Sequence, residues 1–180
     1  MTTITRLTTL AATTTAAALL LSIAPAQAAP PDAALARQGT AAAHDPAVIT
    51  GDSDWFQLYD TSDVTCIDNP AGGMGIHFVN GARVGDATES AAAPEAVIYE
   101  PTKNGGLRLV AVEYVVTKEA WEAAGNTTVP RLFGHDFELV LAGNRYGLPD
   151  FYELHAWIWK NNPAGMNEDW NPDVSCQYAS

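Results

Sequence analysis

Alternation of side-chain character is clearest from Phe151 to Trp159, which reads Phe-Tyr-Glu-Leu-His-Ala-Trp-Ile-Trp. With a period of two, one side of a strand carries Tyr152, Leu154, Ala156 and Ile158. The other carries Phe151, Glu153, His155, Trp157 and Trp159. A carboxylate and an imidazole thus share a face with large aromatics. Such a pair is either a hydrogen-bonded structural network or the floor of a site.

The same reading places other strands. Met74 to Asn80 is an apolar run around His77, preceded by the turn composition Asn69-Pro70-Ala71-Gly72-Gly73 and closed by Gly81. Glu95 to Glu100 is extended between two prolines. Lys103-Asn104-Gly105-Gly106 predicts a hairpin turn. Leu107 to Val116, rich in β-branched residues, predicts a long buried strand with Glu113 in its middle. Thr117 is an N-cap and Gly125 a stop for one short helix. Asp136 to Leu141 alternates weakly and reads as a further strand. Trp55-Phe56 and Leu58-Tyr59 suggest a short docked segment. Hairpin turns, and no helix recurring between strands, predict an α+β fold, predominantly antiparallel, as a small barrel or curved sheet with one or two short helices.

The N-terminus has another character. Arg6 is the only charge before Asp32, Ala16 to Ile23 is apolar apart from Ser22, and Ala26-Gln27-Ala28 fits a small-residue cleavage site. Residues 1–28 read as a secretory signal peptide and 29–50 as a flexible Ala/Pro-rich arm. In that arm Asp32 could cap a short helix that Gly39 interrupts. Residues 51–180 read as a single β-rich domain. The mature protein is expected to be secreted and to have no membrane contact.

Charge narrows the partners. The chain has 9 Lys+Arg against 21 Asp+Glu, a net charge of −12. Removing Arg6 with the leader makes it −13. This argues against nucleic acid and anionic membrane surfaces as partners and is compatible with cation binding; the expected partner is a small molecule or a metal. The two cysteines, Cys66 and Cys176, both fall in the exported part, where an even count predicts a disulfide.

Candidate chemistry follows from the strands. Glu113 inside an apolar run needs a cation, a histidine, a metal or a hydrogen-bond donor, with Arg108 and Arg145 as competing partners. His77, Glu113 and His155 on separate strands form a candidate site for a divalent transition metal such as zinc, iron or manganese. Glu153 or His135 would be fourth ligand or outer partner. The alternative is a set of core histidines and carboxylates that satisfy one another. Trp157, Trp159 and Tyr152 are candidate ligand-binding aromatics, for an apolar ligand or a glycan. No nucleophile elbow, phosphate loop or dinucleotide fingerprint occurs.

The motifs Gly73-Met74-Gly75-Ile76-His77-Phe78-Val79-Asn80, Pro94 to Pro101, Val112-Glu113-Tyr114 and Tyr152 to Met166, with Trp170-Asn171-Pro172 and Val174-Ser175-Cys176, resemble a family of uncharacterised secreted proteins of high-GC Gram-positive bacteria. The resemblance implies a stand-alone exported domain in which His77, Glu95, Glu113 and His155 recur. It implies no activity. The leading expectation is a secreted binding protein with a polar His/Glu pocket, holding a divalent metal. A metal-dependent barrel lyase or oxygenase and a secreted interaction or glycan-binding domain are the alternatives.

Overall fold

The computed structural model describes residues 31–179; the expected leader lies outside them. Its centre is a seven-stranded antiparallel sheet. The strands are β1 (Trp55–Gln57), β2 (Cys66–Asn69), β3 (Gly72–Asn80), β4 (Ala96–Pro101), β5 (Leu107–Thr117), β8 (Glu138–Val140) and β9 (Phe151–Ala156). Their order is β1-β3-β4-β5-β9-β8, with β2 also paired to β3. The sheet stays open, so the curved-sheet expectation holds and the small barrel does not. Two two-residue strands, β6 (Arg131–Leu132) and β7 (His135–Asp136), make a separate ribbon.

The long strands and their turns follow the sequence reading. Gly105 takes φ +77° in the β4–β5 hairpin, the left-handed region where glycine is free of Cβ strain. The Thr117 hydroxyl accepts from the Ala120 amide and caps α4 (Lys118–Ala123). The expected strand from Asp136 to Leu141 is divided. At its break the Phe137 amide donates to Pro130 O at 2.9 Å instead of joining the sheet.

The segment expected to be a flexible arm is helical from Pro31 onward. It forms α1 (Pro31–Thr40), a 3₁₀ turn (Ala41–His44) and α2 (Pro46–Thr50). Ala33, Ala36, Ala43 and Ile49 are buried against one face of the sheet, with Phe78, Tyr99, Val112, Tyr114 and Leu154. Two buried tyrosines anchor this layer. Tyr99 Oη donates to Ala43 O at 2.7 Å, and Tyr114 Oη donates to Ala91 O at 2.8 Å. The small alanines read as a linker by composition are what lets the helices approach the sheet. A one-turn helix, α3 (Gly81–Val84), follows β3.

The opposite face carries a smaller apolar cluster of Ile98, Val110, Ala111, Trp157 and Val174. The C-terminal tail covers it. Gly73 and Asn171 exchange amide hydrogen bonds of 3.1 Å in both directions, and Cys176 is bonded to Cys66 across a sequence separation of 110.

Candidate metal centre

The sheet register assembles the site. Glu113 on β5 lies opposite Ala96 on β4 and opposite His155 on β9. His77 on β3 lies opposite Ile98, two residues from Ala96 and therefore on the same face. His77 and Glu113 are therefore diagonal neighbours across β4. His77 Nε2 and Glu113 Oε2 are 3.6 Å apart. One potential ligand atom from each of His77, Glu113 and His155 falls within 4.8 Å of the others. A second such group shares His155 with Glu153 and Asp169. The two histidine rings meet edge to face, with centroids 5.8 Å apart.

All four sequence-predicted strand residues are buried, His155 to 1% exposure and Glu113 to 5%. Arg108 does not compete for Glu113. It pairs with Glu100, which also binds Lys160 Nζ at 2.9 Å and accepts from the Ser175 amide.

Sequence reading did not find Asp169. Its Oδ1 lies 3.4 Å from His155 Nδ1. It arrives on a return loop, so no strand periodicity marks it. The loop is nevertheless firmly held. Trp157 Nε1 donates to Glu168 O at 2.6 Å, Asn162 Nδ2 to Trp170 O at 3.1 Å, and Asn167 Nδ2 to His155 O at 2.7 Å. The asparagines that marked this stretch as loop supply several of these bonds.

Burial and charge set the protonation states. Burial lowers His77 to about 4, with Glu113 opposing the shift and His155 adding to it, so its imidazole is neutral and can serve as a ligand. Burial would also lower His155, but the carboxylates of Glu113, Asp169 and Glu153 outweigh it and raise the group to about 9. Burial, with the adjacent Glu113, raises Glu153 to about 9, so this carboxyl is protonated near neutrality. Pairing with His155 is the main cause that lowers Asp169, against the opposing effect of its burial.

Two expected members are elsewhere. His135 is exposed on the β6–β7 ribbon and belongs to neither ligand group, which corrects its reading as a fourth ligand or outer partner. The three candidate ligand-binding aromatics divide: Trp157 and Trp159 line one cavity, and Tyr152 does not reach it. Tyr152 belongs to the helix-side core, while Trp157 is buried with its ring stacked beside His155. Strand β9 ends at Ala156, so the alternation stops before Trp159. That ring instead meets His44 edge-on at 4.3 Å and donates from Nε1 to Thr40 Oγ1.

No protein-family model, curated protein or solved structure matches this chain.

Proposed function

We propose that this chain is an exported divalent-metal-binding protein, with His77, Glu113 and His155 as the ligands. The observation that carries the reading is His155, whose two ring nitrogens are both buried without a hydrogen-bond partner among the described residues. A structural network of buried polar groups would close its hydrogen bonds. His155 Nδ1 lies 3.4 Å from Asp169 Oδ1, and in the same cluster His77 Nε2 lies 3.6 Å from Glu113 Oε2. Two ligand atoms that each bind one ion at about 2.1 Å stand about 3.0–4.2 Å apart, so the His77–Glu113 spacing suits atoms that share an ion.

In this reading the ion displaces the Nε2 proton that His155, raised to about 9, carries near neutrality, while Asp169 orients the ring from Nδ1, as carboxylate partners of metal-bound histidines do. Glu153 stands beside both groups as a neutral acid. Two imidazoles and a carboxylate suit zinc, iron or manganese. The disulfide and the leader-like N-terminus support export, where such a site would be loaded from outside the cytosol. A metal-dependent enzyme is the second reading. It is favoured by a cavity that reaches Glu113, since a two-histidine, one-carboxylate set leaves coordination positions open.

The test is metal analysis of untagged protein after incubation with zinc, manganese or ferrous iron and desalting. The expected result is about one equivalent of one metal, lost in His77→Ala and His155→Ala, with about 10- to 100-fold weaker affinity in Asp169→Asn. Less than about 0.2 equivalent of every metal, with no thermal shift on metal addition, would overturn the reading.

A further inference from the structure

Glu113 faces a second feature that the metal ligands leave unused. A cavity of about 180 Å³ lies on this side of the sheet, walled by Phe56, Val79, Val115, Leu148 and Phe151. Among its lining residues the only polar side chains are those of Glu113 and Tyr146. Phe56 and Leu148 are 51% and 38% exposed, so they mark its mouth, and buried Glu113 marks its floor. The Tyr146 hydroxyl is near enough to Glu113 and Glu153 that their charges add to burial in raising its ionisation.

Size and chemistry together limit the occupant. Protein interiors rarely leave such space unfilled, and a dry apolar cavity of about 150 Å³ accepts a benzene-sized molecule. Apolar walls favour a ring or a short branched chain. The carboxyls of Glu113, Glu153 and Asp169, in a chain of net charge −12, disfavour an anion. An ammonium group would lose its hydration against the apolar walls. A hydroxyl satisfies the floor: it donates to the Glu113 carboxylate and accepts from Tyr146 Oη.

We propose that this cavity binds a small neutral alcohol or phenol of single-ring size, with its hydroxyl directed at Glu113 and Tyr146. The proposal deepens the metal reading and rests on it through Glu113, which would join the ligand pocket to the ion. The apolar walls belong to the pocket alone, which lets the two readings be tested apart.

The probe is p-cresol, titrated by calorimetry and by ligand-observed NMR into metal-loaded protein and into EDTA-treated protein. Benzoate and cyclohexylamine are the charged controls. Saturable p-cresol binding is expected, with both controls at least about tenfold weaker. Val115→Phe and Val84→Phe each fill the cavity and are expected to weaken p-cresol at least about tenfold while metal content stays at the wild-type level. Val84 lies on one-turn α3 and is only half-buried, so its variant remains informative if Val115→Phe fails to fold. Absence of saturable binding up to about 10 mM in both forms, or unchanged binding in folded Val84→Phe, would overturn the pocket. Protein that takes up metal but not p-cresol would sink the pocket alone. Protein that binds p-cresol but no metal would support the pocket and sink the metal centre.

Discussion

Histidine shows what residue type and spacing disclose. His77 and His155 were legible because each interrupts an apolar strand pattern, and both are buried in the centre of the sheet. His135 carried the same residue label without such a pattern and lies on an exposed ribbon. Asp169 carried no periodic signal at all, because a loop held by side-chain amides delivers it. Glu95 shows a different gap: sequence motif alone marked it, and burial supplies its physics. Its Oε2 accepts from the Val115 amide at 3.1 Å, yet burial raises the group to about 8. The folded chain therefore keeps Glu95 protonated where the unfolded chain, with an ordinary carboxylate, has already released the proton. A pKa raised on folding contributes stability below the unfolded value, and that stability is lost as pH rises through the folded one. Replacing Glu95 with Gln removes this loss while preserving an acceptor for Val115. The Glu95→Gln variant should gain stability over wild type between about pH 4.5 and pH 8, by at most about 1.4 kcal/mol per pH unit, then level off. Urea melts across that range check it. A difference independent of pH would show that Glu95 is not buried as a neutral acid.

Among the elements, strands and turns were more legible than helices. A strand buried in the sheet announces itself by β-branched runs and glycine turns, as β5 and its hairpin do. The α1 helix was legible only as a short capped turn ending before Gly39, because alanine and glycine read equally as linker. Its glycine is the instructive residue. In an exposed helix interior, Gly39→Ala would stabilise by about 1 kcal/mol. Here a Cβ on Gly39 would fall 1.8 Å from Ala92 O, so α1 owes its close approach to the missing side chain. The same substitution should therefore destabilise, by about 1–3 kcal/mol, because backbone must move to admit the methyl. Leu35→Ala, at a position 45% exposed on the same helix, should change stability by less than about 1 kcal/mol. Thermal melts of the two variants check this. A neutral or stabilising Gly39→Ala would mean that α1 does not dock against residue 92. At the other end of the chain, β9 stops at Ala156 because the Trp157 amide turns away to Met166 O and the Trp159 amide reaches back to Val110 O. Those bonds depend on where the tail goes, which alternation within residues 151–159 could not reveal.

For the whole molecule, the two sheet faces have separate duties, and the tail links them. One face takes the N-terminal helices and holds the larger core; the other is packed by Trp157 and Val174 and holds the ionisable cluster. The Cys66–Cys176 bond closes a covalent loop, and its sequence separation of 110 gives a loop-entropy contribution of about 4–5 kcal/mol. The bond was legible from the cysteine count and the expectation of export. Its relation to the site was not. Asp169 is placed by Asn171 against Gly73, by Trp157 Nε1 on Glu168 O, and by Asn162 on Trp170 O, none of which needs Cys176. Farther along, the Ser175 amide is tied to Glu100. Cutting the disulfide should therefore lower global stability without dismantling the cluster. Cys66→Ser/Cys176→Ser is expected to lower the unfolding free energy by up to about 4–5 kcal/mol. Metal uptake per folded molecule should stay at the wild-type level. Denaturant midpoints measured beside metal content separate the two quantities. Parallel loss of both would show that the covalent bond, rather than the hydrogen-bonded tail, positions Asp169. Retained metal in a destabilised protein would place the disulfide's contribution in the unfolded chain, where loop closure acts.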